Sequence, residues 1–338
     1  MMIDKKSKIK NLIKWIIIIG LLLFAFFKFK KTMLEAFSLV CDTPIYKVIL
    51  CFVLGNLFFV SEGIIISKMT QVNNDKGLTV FQGISCTYMC AFYRLTTLGS
   101  GNGIAQVYYY NTKGIDASSG TGMAIVQYTF QKITIGIMGV LSFLVLVVIG
   151  NKNLLEYKWF MIFGVVVISF ICLFLFLIAV SKKISGFVIW LARKIVKPNW
   201  KLYSKLETMT NAINALQTQG RITWKNKKLF LTVCILDVFK FFCWYMIPGV
   251  LLFDEYNVNP FMCMALMAVC NMIGCVMIAP SGIGTLEFTV TLLFSSIIAD
   301  KPAIAATILI YRFFTWITPF LIGIIPCIFL KKDKNYTE

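Results

Sequence analysis

The stretch Ala279-Pro280-Ser281-Gly282-Ile283-Gly284-Thr285-Leu286-Glu287 separates two apolar runs, residues 260–278 and 288–299. It inserts a proline, two glycines, two hydroxyl groups and a carboxylate into sequence that is otherwise apolar enough for a membrane interior. Backbone groups in lipid find no water, so an irregular segment is tolerated there only where protein buries it or it lines a cavity. An ionisable side chain at that depth, here Glu287, indicates function. We therefore expect a broken helix with a site at the break.

The composition agrees with a membrane setting. The chain has 338 residues, of which 59% are hydrophobic and 14% are charged, and this is too apolar for an ordinary soluble domain. Several runs approach the roughly 20 residues that cross a bilayer as a helix. A soluble catalytic domain needs about 100 residues, and the longest polar stretch, residues 181–228, is shorter than that. We expect a single transmembrane domain over residues 1–338.

The net charge of +18 is best explained by cytoplasmic loops rich in lysine and arginine, which also attract anionic lipids. We expect no specific nucleic-acid partner. The chain has no histidine and therefore lacks the commonest metal ligand and the usual base at neutral pH. None of its eleven cysteines forms a C-x-x-C pair, which favours small apolar filler. We expect no catalytic residue, no metal site and no cofactor.

A second, looser copy of the opening stretch lies earlier in the chain, at Leu98-Gly99-Ser100-Gly101-Asn102-Gly103-Ile104-Ala105-Gln106. In this alignment Ser100, Gly101, Gly103 and Gln106 correspond to Ser281, Gly282, Gly284 and Glu287. The match suggests an internal duplication, although serine and glycine are common in membrane helices and chance is the alternative. The repeats would cover about residues 44–180 and 229–330, joined by a basic amphipathic linker, residues 181–228.

The predicted membrane topology indicates from which side of the membrane each copy of the motif enters. The linker carries eleven Lys or Arg against one acidic residue, Glu207, and should be cytoplasmic together with both termini. The linker and both termini can all be cytoplasmic if residues 78–120 enter the membrane and return to the same side. By parity, residues 260–299 then enter from the outside, as in transporters built from inverted repeats. Two full crossings by residues 260–299 remain the alternative.

The predicted fold is an all-α polytopic membrane protein with about six full spans plus two re-entrant helical hairpins. The spans are expected at about residues 15–27, 45–66, 121–150, 159–180, 229–253 and 302–330.

The motifs favour binding of a phosphate-bearing head group. Glycine-rich helix starts offer backbone N–H groups to anions, and Arg94 and Arg312 suit bidentate phosphate contacts. Glu287 can pair with Arg312 or contact a cationic head group. Close helix packing and a structural ion pair are the alternatives, and Asp237 with Lys240 is expected to be such a pair. The predicted lipid head-group site comprises Arg94, Ser100, Gly101, Gly103, Gln106, Ser281, Gly282, Gly284, Glu287, Tyr311 and Arg312.

Two of these patterns resemble a known family. The order of residues 280–287 followed by Tyr311-Arg312 resembles the membrane region of the lysylphosphatidylglycerol synthase/flippase family. Residues 94–106 resemble the family's first motif, although Ala105-Gln106 stands where the family often has Gly-Glu. Thr129 is the first-repeat counterpart of Arg312, so that arginine is not duplicated. The resemblance extends from about the second span to the tail.

The resemblance implies movement of aminoacylated phosphatidylglycerol, or a related anionic phospholipid or glycolipid, between leaflets of the cell membrane. Such movement would contribute to resistance against cationic antimicrobial peptides. Synthase members also carry a cytoplasmic acyltransferase domain, which is not seen in this sequence, so we expect no independent catalysis.

Lysyl transfer from charged tRNA to lipid, and a role as membrane partner of a separate synthase, remain alternatives. Self-association is compatible with the sequence. There is no nucleotide-binding loop of G-x-x-x-x-G-K-[ST] type, which leaves passive movement and coupling to an ion gradient both open.

Overall fold

The computed structural model describes residues 34, 37–73, 77–97, 99–149, 156–195, 203–277 and 284–330. Within these ranges the regular structure is helical, and no strand occurs in them. The helices are α1 (Ile45–Asn73), α2 (Val80–Thr96), α3 (Asn102–Thr112), α4 (Ala117–Ile149), α5 (Lys158–Val180), α6 (Lys182–Ile195), α7 (Tyr203–Lys225), α8 (Lys227–Tyr256), α9 (Pro260–Val276), α10 (Thr285–Phe294), α11 (Lys301–Arg312), a π-helical turn (Phe313–Ile317) and α12 (Thr318–Phe329).

Five stretches of the described chain are long and apolar enough to cross a membrane. They are α1, α4, α5, α8 and the continuous run from α11 through the π-helical turn to α12. These coincide with five of the six predicted spans, and the sixth, residues 15–27, lies outside the described residues, as do residues 278–283 and the basic tail. The predicted all-α polytopic membrane fold is confirmed.

The starts of several helices follow directly from polar residues at the loop ends. The Thr79 hydroxyl accepts the Gln82 N–H at 3.3 Å, while Gln82 Oε1 accepts the Thr79 N–H at 2.9 Å, which forms a capping box before α2. The Asn259 side chain accepts the Phe261 N–H before α9, whose first residue is a proline. Asp300 caps α11 in the same way.

Two pairs of short helices form the expected hairpins. Helices α2 and α3 pack against each other, as do α9 and α10. Helix α3 has 11 residues and α10 has 10, so they are roughly 17 and 15 Å long, about half of a 30 Å hydrocarbon core. Each hairpin therefore has an arm too short to cross the membrane, which favours re-entry over two full crossings for residues 260–299.

The first hairpin opens at the end of the bundle where the basic linker lies. The Ser67 hydroxyl donates to the Leu78 carbonyl at 2.8 Å, so α2 begins beside the end of α1. At the start of α4, just after α3, Gly122 is so close to α7 that a Cβ there would be 2.8 Å from the Ala215 carbonyl oxygen. Both arms of the first hairpin therefore open towards α7.

The second hairpin opens at the opposite end. Lys47 Nζ donates to the Leu251 carbonyl at 3.0 Å, which sets the start of α1 beside the end of α8. The Tyr256 hydroxyl, at the end of α8, donates to Asp300 Oδ2 at 2.7 Å, beside the start of α11. Because α9 follows α8 directly, both arms of the second hairpin open at this end. The opposite entry of the two hairpins agrees with the predicted topology, while the internal duplication and its boundaries stay predictions.

The outward faces of the long helices are apolar. On α4 and α5, Val148, Trp159 and Phe170 are exposed, as expected of side chains that contact lipid tails rather than water. On α6 and α7, exposed lysines lie beside exposed Phe187 and Trp190. This combination is typical of a helix at the membrane surface.

Candidate functional site

The tips of the two hairpins share one cavity. It has a volume of about 440 Å³ and is lined by Gly99 from the first tip and by Met277 and Thr285 from the two sides of the second. A cavity of this size lies in the range that holds small ligands, about 300–1,000 Å³. The two motifs found in the sequence therefore lie next to the same space.

Three cations line this tip cavity: Arg94 of α2, Lys132 of α4 and Arg312 of α11. Two tryptophans, Trp244 and Trp316, lie beside them. Arg312 pairs with the Glu287 carboxylate, and the described residues that line the cavity include no Asp or Glu, so the positive charges around it outnumber the negative ones. Such a lining favours an anion, and its arginines can present paired N–H donors to phosphate oxygens.

A missing backbone donor fixes Arg94 in place. Pro319 has no N–H, so the Thr315 carbonyl, four residues earlier, loses its helical partner. Arg94 Nη2 donates to that carbonyl at 3.2 Å. The carbonyl belongs to the π-helical turn, a feature that often marks functional sites. Arg94 forms no ion pair with another described residue, so its charge remains available to a ligand.

Arg312 and Glu287 form the predicted ion pair. Arg312 Nε donates to Glu287 Oε1 at 2.9 Å, and its guanidinium carbon lies 4.1 Å from the centre of the Trp316 ring. Glu287 Oε2 accepts the Gly284 N–H at 2.7 Å. Gly284 has a backbone φ of +87°, a value that residues with a Cβ rarely adopt. The pair thus ties the glycine turn of the second motif to α11.

The sequence interpretation did not assign Lys132 to the site. Its Nζ lies 3.3 Å from Cys275 Sγ and 5.2 Å from the centre of the Tyr128 ring. The signal was present, because a lysine inside an apolar span indicates function. What the linear sequence could not give was the packing of α4 against α9, which turns Lys132 towards the tip cavity.

The other predicted residues are distributed more widely. Tyr311 lines the tip cavity with Arg94 and Arg312. The Ser100 hydroxyl donates to the Thr97 carbonyl at 2.8 Å, and the Gly101 N–H donates to Thr97 Oγ1 at 2.7 Å.

These two bonds close the turn of the first motif, so neither the Ser100 hydroxyl nor the Gly101 N–H has a donor left for the cavity. A Cβ at Gly103 would meet open space. Ser281 and Gly282 lie outside the described residues. A role in head-group binding for Ser100, Gly101, Gly103, Ser281 and Gly282 stays a prediction.

A second polar cluster is buried between α1, α4 and α8. Lys240 is bonded to both Glu62 and Asp237, which confirms the expected contact within α8 and adds a partner from α1. Two glutamines of α4, Gln127 and Gln131, donate to Glu62 Oε1. The predicted site residue Gln106 belongs to this cluster rather than to the tip cavity, since its Nε2 donates to Gln127 Oε1 at 2.6 Å.

The described residues contain no group of three or more His, Cys, Asp or Glu side chains that could hold a metal ion. The cysteines are all free thiols.

Comparison with known proteins identifies the family. A family model described as the lysylphosphatidylglycerol synthase TM region matches residues 11–323, which is nearly the whole chain. A search of the curated proteins finds no match. The match includes both hairpins, the tip cavity and the buried cluster. On this basis the chain belongs to the family of the lysylphosphatidylglycerol synthase transmembrane region.

Proposed function

We propose that this protein is a lipid translocase of the cell membrane, which moves aminoacylated phosphatidylglycerol or a related anionic phospholipid or glycolipid between leaflets. The observation that carries the proposal is the tip cavity. It is lined by three cations and lies between two hairpins that open at opposite ends of the bundle. Membership of the lysylphosphatidylglycerol family supports a lipid of this class.

The chemistry of the tip cavity suits a phosphodiester. Arg94 and Lys132 carry charges that no described carboxylate neutralises, and a phosphate would balance them at a depth where unbalanced charge is costly. The acyl chains would remain outside, against the apolar faces of the long helices.

The arrangement of the hairpins supports movement rather than static binding. A head group held at the shared tips lies between two re-entrant elements, one from each side of the membrane, as in carriers that expose a central site alternately. Small rotations of either hairpin would open the tip cavity to one leaflet at a time. Export of lysyl lipid would lower the negative charge of the outer surface, which would weaken the binding of cationic peptides.

Purified protein in liposomes tests this proposal. Labelled lysylphosphatidylglycerol and labelled phosphatidylglycerol are placed in one leaflet, and their arrival in the other is followed over time. We expect the wild type to move both lipids and Arg94→Gln and Lys132→Gln to slow this at least about tenfold, since a charge-assisted hydrogen bond contributes about 1.5–3 kcal/mol. The matched control is Lys183→Gln, an exposed lysine of α6 that should leave the rate unchanged.

Two outcomes would contradict the proposal. One is a wild-type protein that accelerates neither lipid over protein-free liposomes. The other is an equal rate for wild type, Arg94→Gln and Lys132→Gln. Incorporation of labelled lysine into lipid by this chain alone would favour the transferase alternative. In cells, Arg94→Gln should lower survival against a cationic peptide, whereas Lys183→Gln should not.

A further inference from the structure

The buried cluster between α1 and α8 contains more negative than positive side chains. Glu62 and Asp237 both contact Lys240, and the exposed fractions of these three residues are 7%, 0% and 0%. If both carboxylates were ionised, one negative charge would remain without an ion-pair partner of its own among the described side chains. A buried charge of this kind costs several kcal/mol and is normally removed by a proton or a counter-ion.

We propose that Asp237 is a reversible proton-binding site and that its protonation is coupled to lipid movement. The coupling part rests on the proposed translocase function, whereas the proton site itself does not.

The hydrogen bonds distinguish the two carboxylates. Glu62 Oε1 accepts from the side-chain amides of Gln127 and Gln131, and Oε2 accepts from Lys240 Nζ. All three partners are donors, and a carboxylate that only accepts is ionised. Glu62 therefore holds the negative charge that balances Lys240.

Asp237 lacks the two amide donors that Glu62 has. Lys240 Nζ forms an ion pair with Asp237 Oδ1, one helical turn away, and no second donor to Asp237 lies among the described residues. A fully buried carboxylate with one donor gains more from a proton than a carboxylate with three donors, because the neutral acid needs less solvation. A metal cation would need several oxygen ligands, and those of Glu62 are already occupied.

No described cation other than Lys240 forms an ion pair with Asp237. Helix α9, which packs on α8, has no charged residue, and the charges of α11 are at its ends, Lys301 and Arg312. From α7, Arg221 lines an apolar cavity next to Cys234 and Val238, the α8 positions that flank Asp237. The other titratable groups around the cluster are Cys234 on α8, Cys86 and Arg94 on α2, and Tyr110 on α3.

A continuous chain of contacts joins the cluster to the first hairpin and to the tip cavity. Gln127 donates to Glu62 and accepts from Gln106, whose Nε2 also donates to the Tyr110 hydroxyl at 2.7 Å on the returning arm of the first hairpin. Gln131, the other amide on Glu62, is next to Lys132 of the tip cavity. A change in how Lys240 is shared therefore acts on the first hairpin and on the cavity.

In each turn of the proposed cycle, one proton is taken up from one side of the membrane and released to the other. When Asp237 binds a proton from one side, Lys240 pairs with Glu62 alone. When Asp237 releases that proton to the other side, Lys240 is shared between the two carboxylates again. A proton gradient would then bias the two states of the first hairpin and supply energy for lipid movement.

Infrared spectroscopy tests the proton site directly. Wild-type protein in lipid nanodiscs is titrated over a pH series, and the C=O band of a protonated carboxylic acid is followed, with a heavy carbon isotope in the aspartate carboxyls for assignment. We expect an isotope-sensitive band that titrates with pH and is lost in Asp237→Asn. In Glu62→Gln the band should shift to more acidic pH, because Lys240 then balances Asp237 alone.

A wild-type spectrum without a titrating aspartate band overturns the proton site, and this result needs no variant to fold. A band that persists in folded Asp237→Asn overturns the assignment to Asp237.

Liposomes with an imposed pH difference test the coupling. We expect the wild type to move lipid faster with the gradient than without it, and Asp237→Asn to lose this dependence. Equal wild-type rates with and without the gradient overturn the coupling, as does acceleration by a sodium gradient in place of a proton gradient. If the wild type moves no lipid at all, the translocase function and the coupling both fail, while the spectra still decide the proton site.

Discussion

At the scale of single residues, Glu287 and Arg312 depend on each other. Arg312 Nε donates to Glu287 Oε1, and Glu287 Oε2 accepts the Gly284 N–H. Removing one partner of such a pair leaves the other charge unpaired, whereas removing both partners leaves no unpaired charge. The side chain of Glu287 is 36% exposed and that of Arg312 is 10% exposed, so the penalty falls mainly on the arginine.

We therefore predict that Glu287→Ala destabilises the protein by about 1–3 kcal/mol and that Glu287→Gln, which keeps an acceptor for Gly284, is less harmful. The measurement is the thermal midpoint in detergent for each variant, together with Arg312→Met and Glu287→Gln/Arg312→Met. The double variant should be more stable than Glu287→Gln alone, because Glu287→Gln leaves the buried charge of Arg312 without its partner. If the two single losses simply add in the double variant, the pair makes no coupled contribution.

The sequence predicted this pair because isolated charges in apolar runs are conspicuous and because Arg312 follows the second motif at a suitable distance. It also predicted the contact of Asp237 with Lys240, which depends only on helical spacing. It did not predict that Glu62 is their third member, since that contact joins α1 to α8 across the fold. Nor could it assign Gln106 to the buried cluster, because the motif alignment matched it to Glu287.

At the scale of helices, close contacts between backbones set the hairpin positions. A Cβ on Gly323 of α12 would clash with the Tyr88 carbonyl oxygen of α2. A Cβ on Gly83 of α2 would likewise clash with the Gly63 carbonyl oxygen of α1. Small residues allow membrane helices to approach in this way. The first arm of the first hairpin is thus held between two long helices.

We predict that Gly323→Ala lowers stability by about 1–3 kcal/mol through overpacking and slows lipid movement, since α2 carries Arg94. Gly186→Ala in α6 is the matched control, because a Cβ there meets nothing within 4 Å and alanine favours the helix. Thermal unfolding in detergent and the liposome assay provide the two readouts. Unchanged stability of Gly323→Ala would show that α2 and α12 can separate at no cost.

Hydropathy predicted the helical spans well, because it sums over many residues and tolerates local exceptions. It did not predict the π-helical turn, Phe313–Ile317, inside the last span. That turn follows from the absent N–H of Pro319 and from Arg94, which donates to the Thr315 carbonyl from another helix. The sequence near the turn contains Pro319, but Arg94 is far away in the chain, so its contact could not be predicted from the local sequence.

At the scale of the whole molecule, the distribution of charge and the opening of the hairpins point to one orientation. The basic linker helices α6 and α7 lie at the end where the first hairpin opens, and acidic Asp254 and Glu255 lie at the other end. Lysine and arginine concentrate on the cytoplasmic side of membrane proteins. The first hairpin should therefore open to the cytoplasm and the second to the outside.

We predict that a cysteine at Ser118, exposed beside the first hairpin, reacts with a membrane-impermeant maleimide only in inverted vesicles. A cysteine at Glu255, exposed at the opposite end, should react in intact cells. Both are introduced into a Cys41→Ser background, because Cys41 is the exposed native thiol of the described chain. The Cys41→Ser protein without a new cysteine is the control for the buried thiols. Labelling of both positions from one side would place the two hairpins on the same face, and a head group passed between their tips would then have no route from one leaflet to the other.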